Sequence, residues 1–312
     1  MDPLAALLDG PRAHGAFLLR SVLTPPWALR IEDQAPLTVV SVVRGEAWIV
    51  PEGGEGVTMG EGDVAIVRGP DPYLVADHPG TPPQAIILPG QECRTPDGGH
   101  LTELADIGVR TWGHGTDGPV VLLTGTYGME GELSKRLLAA LPPVLVLRAA
   151  DWPTPLVGLL ATEIGKDVPG QEAVLDRLLD LLLIAALRAW FDRPDTTAPA
   201  WYRAHEDPVA GQALRLLQHQ PAEPWTVAEL AADVGVSRAA LARRFAATVG
   251  ETPMAYLTGW RLALAADLLR QHPETTIASI ARQVGYGSAF ALSAAFKREF
   301  GLSPQNYRAP AR

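Results

Sequence analysis

The sequence predicts an α+β protein of two domains: a β-barrel followed by helices, then an all-α domain made from two copies of one helical unit. Three observations carry this. Short apolar runs broken by Gly and Pro fill the chain from about Phe17 to Gly125; the pattern is helical throughout from Pro208 to Arg308; and that last third repeats itself at a nearly fixed offset. A length of 312 residues suits two domains. With 47% hydrophobic and 20% charged residues, the chain has the composition of a soluble protein that buries a core.

Several classes are disfavoured at once. No uncharged apolar run reaches about 18 residues, so no membrane span is expected. The N-terminal MDPLAALLDGPR is acidic and lacks a basic leader, unlike a secretory signal. A single cysteine, Cys93, excludes an intrachain disulfide framework and a multi-cysteine zinc site, and points to the reducing cytoplasm. The net charge of −9 is unevenly spread. From Pro208 onward there are 11 Lys and Arg against 7 Asp and Glu, whereas the preceding residues carry 15 against 28. The C-terminal third therefore suits an anionic partner, and the remainder would be repelled by one.

In chain order, LTVVSVVRG, EAWIVP, GDVAIVRG and QAIILPG have the length and spacing of strands in a small antiparallel barrel or sandwich. PEGGEG and RGPDPY supply the turns between them. SKRLLAALP reads as a helix ended by Pro142. Gln171–Phe191 reads as a long helix free of Gly and Pro. Val174, Leu175, Leu178, Leu182 and Ala185 repeat along it at helical spacing, and Leu179, Leu181, Leu183 and Leu187 widen the stripe to most of the circumference. Such a helix needs cover on more than one side, from its own barrel or from a partner subunit. Asp192 to Pro208 has no period and reads as a linker, with Trp201 and Tyr202 docking on one domain. The expected division is 1–191, a linker at 192–207, and 208–312.

The repeat is specific. At an offset of 50, Thr226, Val227, Ala228, Leu230, Ala231, Val234 and Gly235 meet Thr276, Ile277, Ala278, Ile280, Ala281, Val284 and Gly285. After one inserted residue, Ser237, Leu241, Phe245, Gly250, Pro253 and Tyr256 meet Ser288, Leu292, Phe296, Gly301, Pro304 and Tyr307. Shared helical periodicity would match apolar positions, but it would not keep Gly, Ser, Pro and Tyr in step. Each copy reads as a Thr-capped helix, a Gly turn and a Ser-capped helix, which is a helix-turn-helix. In such units the second helix enters the major groove.

GYGSAFALSAAFKREFGLSPQNYR, Gly285 to Arg308, resembles the signature of the AraC/XylS family of bacterial transcription regulators, and Pro253–Gln271 resembles that family's connector helix. The resemblance implies a double helix-turn-helix on promoter DNA, with RNA polymerase a further partner of an activator. Leu241 and Phe245 point inward, leaving Arg238, Ala239, Ala242 and Arg243 as base-reading candidates. Arg243 is favoured, because Arg matches the acceptor edge of guanine. In the second copy the corresponding face is Ala289, Phe290, Ser293 and Ala294. Such side chains can touch a thymine methyl but cannot make paired hydrogen bonds, so the first unit is expected to discriminate more. Phe290 in the core is the alternative. Arg244, Arg261, Lys297, Arg298 and Arg308 are the phosphate-binding candidates.

The β-rich segment, with GDVAIVRGPDPY and LLTGTYGMEGELSKRLLAALPPVLVLR, resembles the cupin-type sensory domain found on a subset of these regulators. The fold class is thus a cupin-like β-barrel followed by helices, then a double helix-turn-helix. Cupin enzymes hold their metal through an H-x-H pair, a Glu and a further His. This chain has no H-x-H; Val40 and Tyr73 stand where relatives often carry His, and His78, His100 and His114 lie in Gly- and Pro-rich loops. No metal and no cofactor are expected, which disfavours the alternative of a metal-dependent cupin enzyme fused to a DNA-binding domain. An unknown small-molecule effector inside the barrel is the expected signal, with Val40, Trp48 and Tyr73 as candidate contacts. Cys93, beside Arg94, is a candidate redox sensor. A homodimer through Gln171–Phe191 completes the expectation.

Overall fold

A computed structural model describes residues 17–128, 131–194 and 198–308. The acidic N-terminal stretch discussed above lies outside them. The described residues divide into two compact units, one comprising residues 17–128 and 138–194 and the other residues 131–137 and 198–308.

The first unit is a pair of sheets. Its strands are β1 (Phe17–Leu23), β2 (Ala28–Ile31), β3 (Leu37–Arg44), β4 (Ala47–Pro51), β5 (Val57–Met59), β6 (Val64–Arg68), β7 (Tyr73–Ala76), β8 (Ala85–Leu88), β9 (Glu92–Arg94), β10 (Ala105–Gly108), β11 (Thr111–Gly113), β12 (Val120–Tyr127) and β13 (Val144–Leu147). One sheet has the order β10-β11-β1-β12-β3-β6-β13 and the other β5-β4-β7-β2-β8-β9. Most neighbours are antiparallel; β1 with β11 and β2 with β8 are parallel. Alternation along β4 shows how the sequence selects its faces: Ala47 and Ile49 are buried, while Trp48 and Val50 are only half-buried. The core between the sheets includes Trp27, Val40, Val42, Ile49, Met59 and Trp112. A part-buried ion pair joins Arg148 to Asp63 at 2.9 Å, and the Asp63 carboxylate also accepts from the Gly60 and Ala149 amides.

β3 is buried on both faces, because helices cover the outside of its sheet. Between β12 and β13 runs α1 (Glu132–Leu138); after β13 come α2 (Leu156–Ile164) and α3 (Gln171–Phe191). Leu179 of α3 lies against Gly125 of β12, and the Tyr127 hydroxyl donates to the Leu179 carbonyl at 2.8 Å. The α3 stripe is buried within its own unit at Leu175, Leu179, Leu182, Leu183, Ala186 and Leu187, with Leu179 against the barrel strand β12. Val174 and Leu181 face outward instead, 45% and 49% exposed. A Cβ at Gly125 would sit 2.7 Å from the Leu179 methyls. Gly125→Val is therefore expected to cost about 1–3 kcal/mol by overpacking, read as a lower denaturation midpoint at unchanged m-value.

The second unit holds α4 (Ala200–Arg203), α5 (Ala210–His219), α6 (Val227–Asp233), α7 (Arg238–Val249), α8 (Pro253–Gln271), α9 (Ile277–Gln283), α10 (Ala289–Phe300) and α11 (Pro304–Arg308). The stretch read as a linker departs from expectation at its C-terminal end. Ala200–Arg203 is helical and continues as a 3-10 turn through Glu206, with Tyr202 and Ala204 buried. Burial of Tyr202, a tertiary effect, orders a segment whose own pattern has no period. Asp207 then starts α5 by accepting from Val209 and Ala210 at 2.9 and 2.8 Å.

Two cores organise this unit around α8. Leu230, Leu241, Phe245, Tyr256, Leu257 and Trp260 belong to the first; Leu262, Ala266, Leu269, Ile280, Leu292 and Phe296 to the second. The N-terminal half of α8 completes the first helix pair and its C-terminal half the second.

Candidate nucleic-acid interface

Each helix pair is built by local chemistry. Thr226 and Glu229 form a reciprocal cap on α6: the Thr226 hydroxyl accepts from the Glu229 amide at 3.2 Å, and the Glu229 carboxylate accepts from the Thr226 amide at 2.8 Å. Ser237 accepts from the Ala240 amide at 3.2 Å and starts α7. In the second pair Thr276 accepts from Ser279 at 3.2 Å and Ser288 from Ala291 at 3.1 Å. The turn at Gly285 is demanding, with φ at +83° and the Pro221 carbonyl 2.7 Å from where a Cβ would be. Only glycine meets both conditions. Replacing Thr226 by Ala removes one side of the reciprocal cap and is expected to cost about 1 kcal/mol, measured by denaturant titration.

These caps fix the rotation of the second helix in each pair. Leu241 and Phe245 on α7, and Leu292 and Phe296 on α10, are fully buried. The opposite face of α7 presents Arg238, Ala239 and Arg243 as exposed side chains and Ala242 as half-buried. Neither Arg238 nor Arg243 has a hydrogen-bond or ion-pair partner among the described residues. On α10, Ala289 and Ser293 are half-buried and Ala294 exposed, while Phe290 is 85% exposed. The alternative that Phe290 packs into the core is thereby excluded.

The candidate phosphate ligands separate into two groups. Lys297 and Arg298 are exposed on the last turns of α10. Arg244 is exposed but bonded through Nε to Asp207 at 2.7 Å. Arg261 and Arg308 hold the unit together instead. Arg261 donates to the carbonyls of Pro221 and Glu223 at 2.6 and 2.7 Å, and burial lowers its pKa. Arg308 donates to the Thr275 carbonyl, and its Nε is buried. The planar guanidinium fork suits such carbonyl pairs, and a long-range partner of this kind leaves no local trace in sequence.

The barrel contains a cavity of about 620 Å³. Its walls include Leu29, Ile31, Ile87, Trp112, Thr124 and Thr126, with Asp33, Asp106, Arg110 and His100 among its polar residues. Tyr73 and Cys93 line it; Val40 and Trp48 do not. Val40 is a core residue, 1% exposed, and Trp48 is half-buried with its ring 6.5 Å from that of His78. The Cys93 thiol is pushed up by burial and by the charge of Asp106, opposite to the direction expected from Arg94, which pairs with Glu92 at 2.6 Å. A raised thiol pKa lowers the thiolate fraction on which redox sensing depends. Strand and loop residues far apart in sequence build this cavity, so spacing alone gave no sign of Trp112 or Arg110. No group of three or more His, Cys, Asp or Glu among the described residues is placed to hold a metal ion.

The cupin family profile matches residues 2–192, and a helix-turn-helix domain profile matches residues 230–310. An AraC-like transcription regulator from Streptomyces lividans is 33% identical over 99% of this chain and 98% of its own length. The HTH-type transcriptional regulator AlkR of Acinetobacter baylyi is 28% identical over 99% of both chains. The solved C-terminal domain of AraT, a response regulator from Geobacillus stearothermophilus, is 32% identical over 33% of this chain and 84% of that one, with a TM-score of 0.32. The chain belongs to the AraC-like family of transcription regulators, in the form that carries a cupin domain ahead of its helix-turn-helix units.

Proposed function

We propose that the chain binds promoter DNA sequence-specifically through α7 and α10, under the control of a small molecule held in the barrel. The observation that carries this is the duplicated, capped helix pair whose outward face offers two arginines with no hydrogen-bond or ion-pair partner among the described residues. Arg243, and Arg238 at the start of the same helix, read base edges; Ala239 and Ala242 leave room for the helix to approach the groove floor. On α10, Ala289, Phe290 and Ser293 contribute apolar contact to thymine methyls and sensitivity to groove shape rather than paired hydrogen bonds. Lys297 and Arg298 anchor phosphates, with Arg244 available only by giving up Asp207.

The effector site is the 620 Å³ cavity, in the size range of small-molecule pockets, with Tyr73 among its contacts. A homodimer through the outward face of α3, where Val174 and Leu181 are exposed, would present four reading helices. RNA polymerase is the further partner if the protein activates. The protein works in the cytoplasm and is not an enzyme: the chain has no H-x-H motif to supply a cupin metal site. Purified protein is expected to contain less than stoichiometric Fe, Mn or Zn, and dialysis against a chelator should leave its DNA affinity within twofold; stoichiometric metal would favour the enzyme reading. Fluorescence polarisation with promoter fragments at several salt concentrations tests the DNA reading. It predicts competition by specific sequence and a log–log salt slope of about −0.9 per phosphate contacted.

A further inference from the structure

The short helix α1 is the part of the cupin-matched sequence that folds with the second unit. Its N-terminal amides are held by a carboxylate: Asp267 on α8 accepts from Glu132 at 2.6 Å and from Leu133 at 3.3 Å. Asp267 is only 8% exposed, on a helix otherwise devoted to apolar cores. A buried carboxylate is costly unless its hydrogen bonds are satisfied, and here α1 supplies two of them. Leu133 enters the first core, and the Tyr307 hydroxyl of α11, beside the second core, donates to Glu132 at 2.6 Å. The Arg136 guanidinium lies 5.7 Å and 6.0 Å from the ring centres of Tyr256 and Trp260. Two glycines make room. A Cβ at Gly131 would sit 2.8 Å from the Asp267 carboxylate, and one at Gly259 would sit 2.6 Å from Arg136. One seven-residue helix thus touches the connector α8 and α11, and adds Leu133 to the first core.

Its chain connections give this contact a consequence. α1 is the next element after β12 in chain order, separated from its end by four residues, and β12 contributes Thr124 and Thr126 to the cavity wall. We propose that α1 is a strap through which the state of the cavity, carried along β12, biases the arrangement of the two helix pairs about α8, with Asp267 as its principal fastening. This rests on the cavity and DNA readings above and names the residues that couple them. A ligand acts through such a device only by favouring one of its two states.

The test uses the full-length chain and two readouts. Hydrogen exchange, which needs no DNA, is followed at the Glu132 and Leu133 amides in wild type, Asp267→Asn and Tyr307→Phe. We expect Asp267→Asn to speed exchange there at least tenfold, and Tyr307→Phe to speed it less, with barrel strands unchanged. Affinity for a duplex selected by the wild-type protein is then measured with and without Thr124→Phe, which fills part of the cavity; Leu101→Trp, at another part of the wall, replaces it if that variant fails to fold. The filler should shift Kd at least fivefold in the wild-type background and less than twofold in Asp267→Asn. Unchanged exchange in Asp267→Asn, no shift in wild type, or an equal shift in both backgrounds would each overturn the strap. Failure of the wild type to select any duplex would instead count against the DNA reading, and the exchange result would still stand.

Discussion

Arg243→Ala is expected to weaken binding to the protein's own target duplex by about 1–3 kcal/mol, roughly 5- to 150-fold, with little change in affinity for random duplex. The asymmetry is the informative part. Arg243 is exposed on the face of α7 opposite Leu241 and Phe245, so removing its side chain leaves the core intact. A base-reading arginine lost in this way should relax preference at one position of the target. Loss of Lys297, by contrast, should weaken binding to all sequences alike and reduce the salt slope by about one unit. Titrations of Arg243→Ala, Arg238→Ala and Lys297→Ala against specific and random duplex separate the two behaviours. Equal losses on both duplexes for Arg243→Ala would move that residue to the phosphate group.

Phe245→Ala is expected to be the more destructive change. Phe245 is fully buried in the first core, its ring 6.1 Å from Tyr256 in an edge-on arrangement. Truncating such a ring costs about 3–5 kcal/mol, through lost burial plus the cavity left behind. Domain stabilities are on the order of 5–15 kcal/mol, so the first helix pair should lose most of its margin. The expected outcome is a much lower unfolding midpoint for the helical unit, loss of specific DNA binding, and barrel strands with unchanged amide protection. Phe296→Ala tests the same point in the second core, since α8 gives each pair its own apolar cluster. A Phe245→Ala protein that kept full stability would show that the first core is not organised as described.

What the sequence could reveal depended on how local the determining physics was. Thr226, Gly235 and Ser237, with Thr276, Gly285 and Ser288, do work that backbone geometry demands within a few residues, so their repetition identified both helix pairs. The inward positions of Phe245 and Phe296 followed from the same register. Strand-rich runs such as LTVVSVVRG placed the barrel, but the alternation within them did not say which residues face a cavity; Tyr73 lines it and Val40 does not. Arg261 looked like a phosphate ligand because its partners, the carbonyls of Pro221 and Glu223, lie about forty residues away in the chain. The helix at Ala200–Arg203 depends on the burial of Tyr202, and the docking of α1 depends on Asp267; neither dependence has a period. Phe290, expected on the outward face with the core as the alternative, is 85% exposed.

The central claim is that two linked helix pairs read one duplex, the first more stringently than the second. Selection of duplexes from a random pool by the full-length protein, with Arg243→Ala selected in parallel, tests it most directly. The account predicts two preferred blocks about one helical turn apart, on the order of 10 base pairs. One should be strict and contain guanine, and the other should be looser and rich in A·T; Arg243→Ala should scramble only the strict block. Enrichment of no sequence above the starting pool, or one uniform site left untouched by Arg243→Ala, would contradict it.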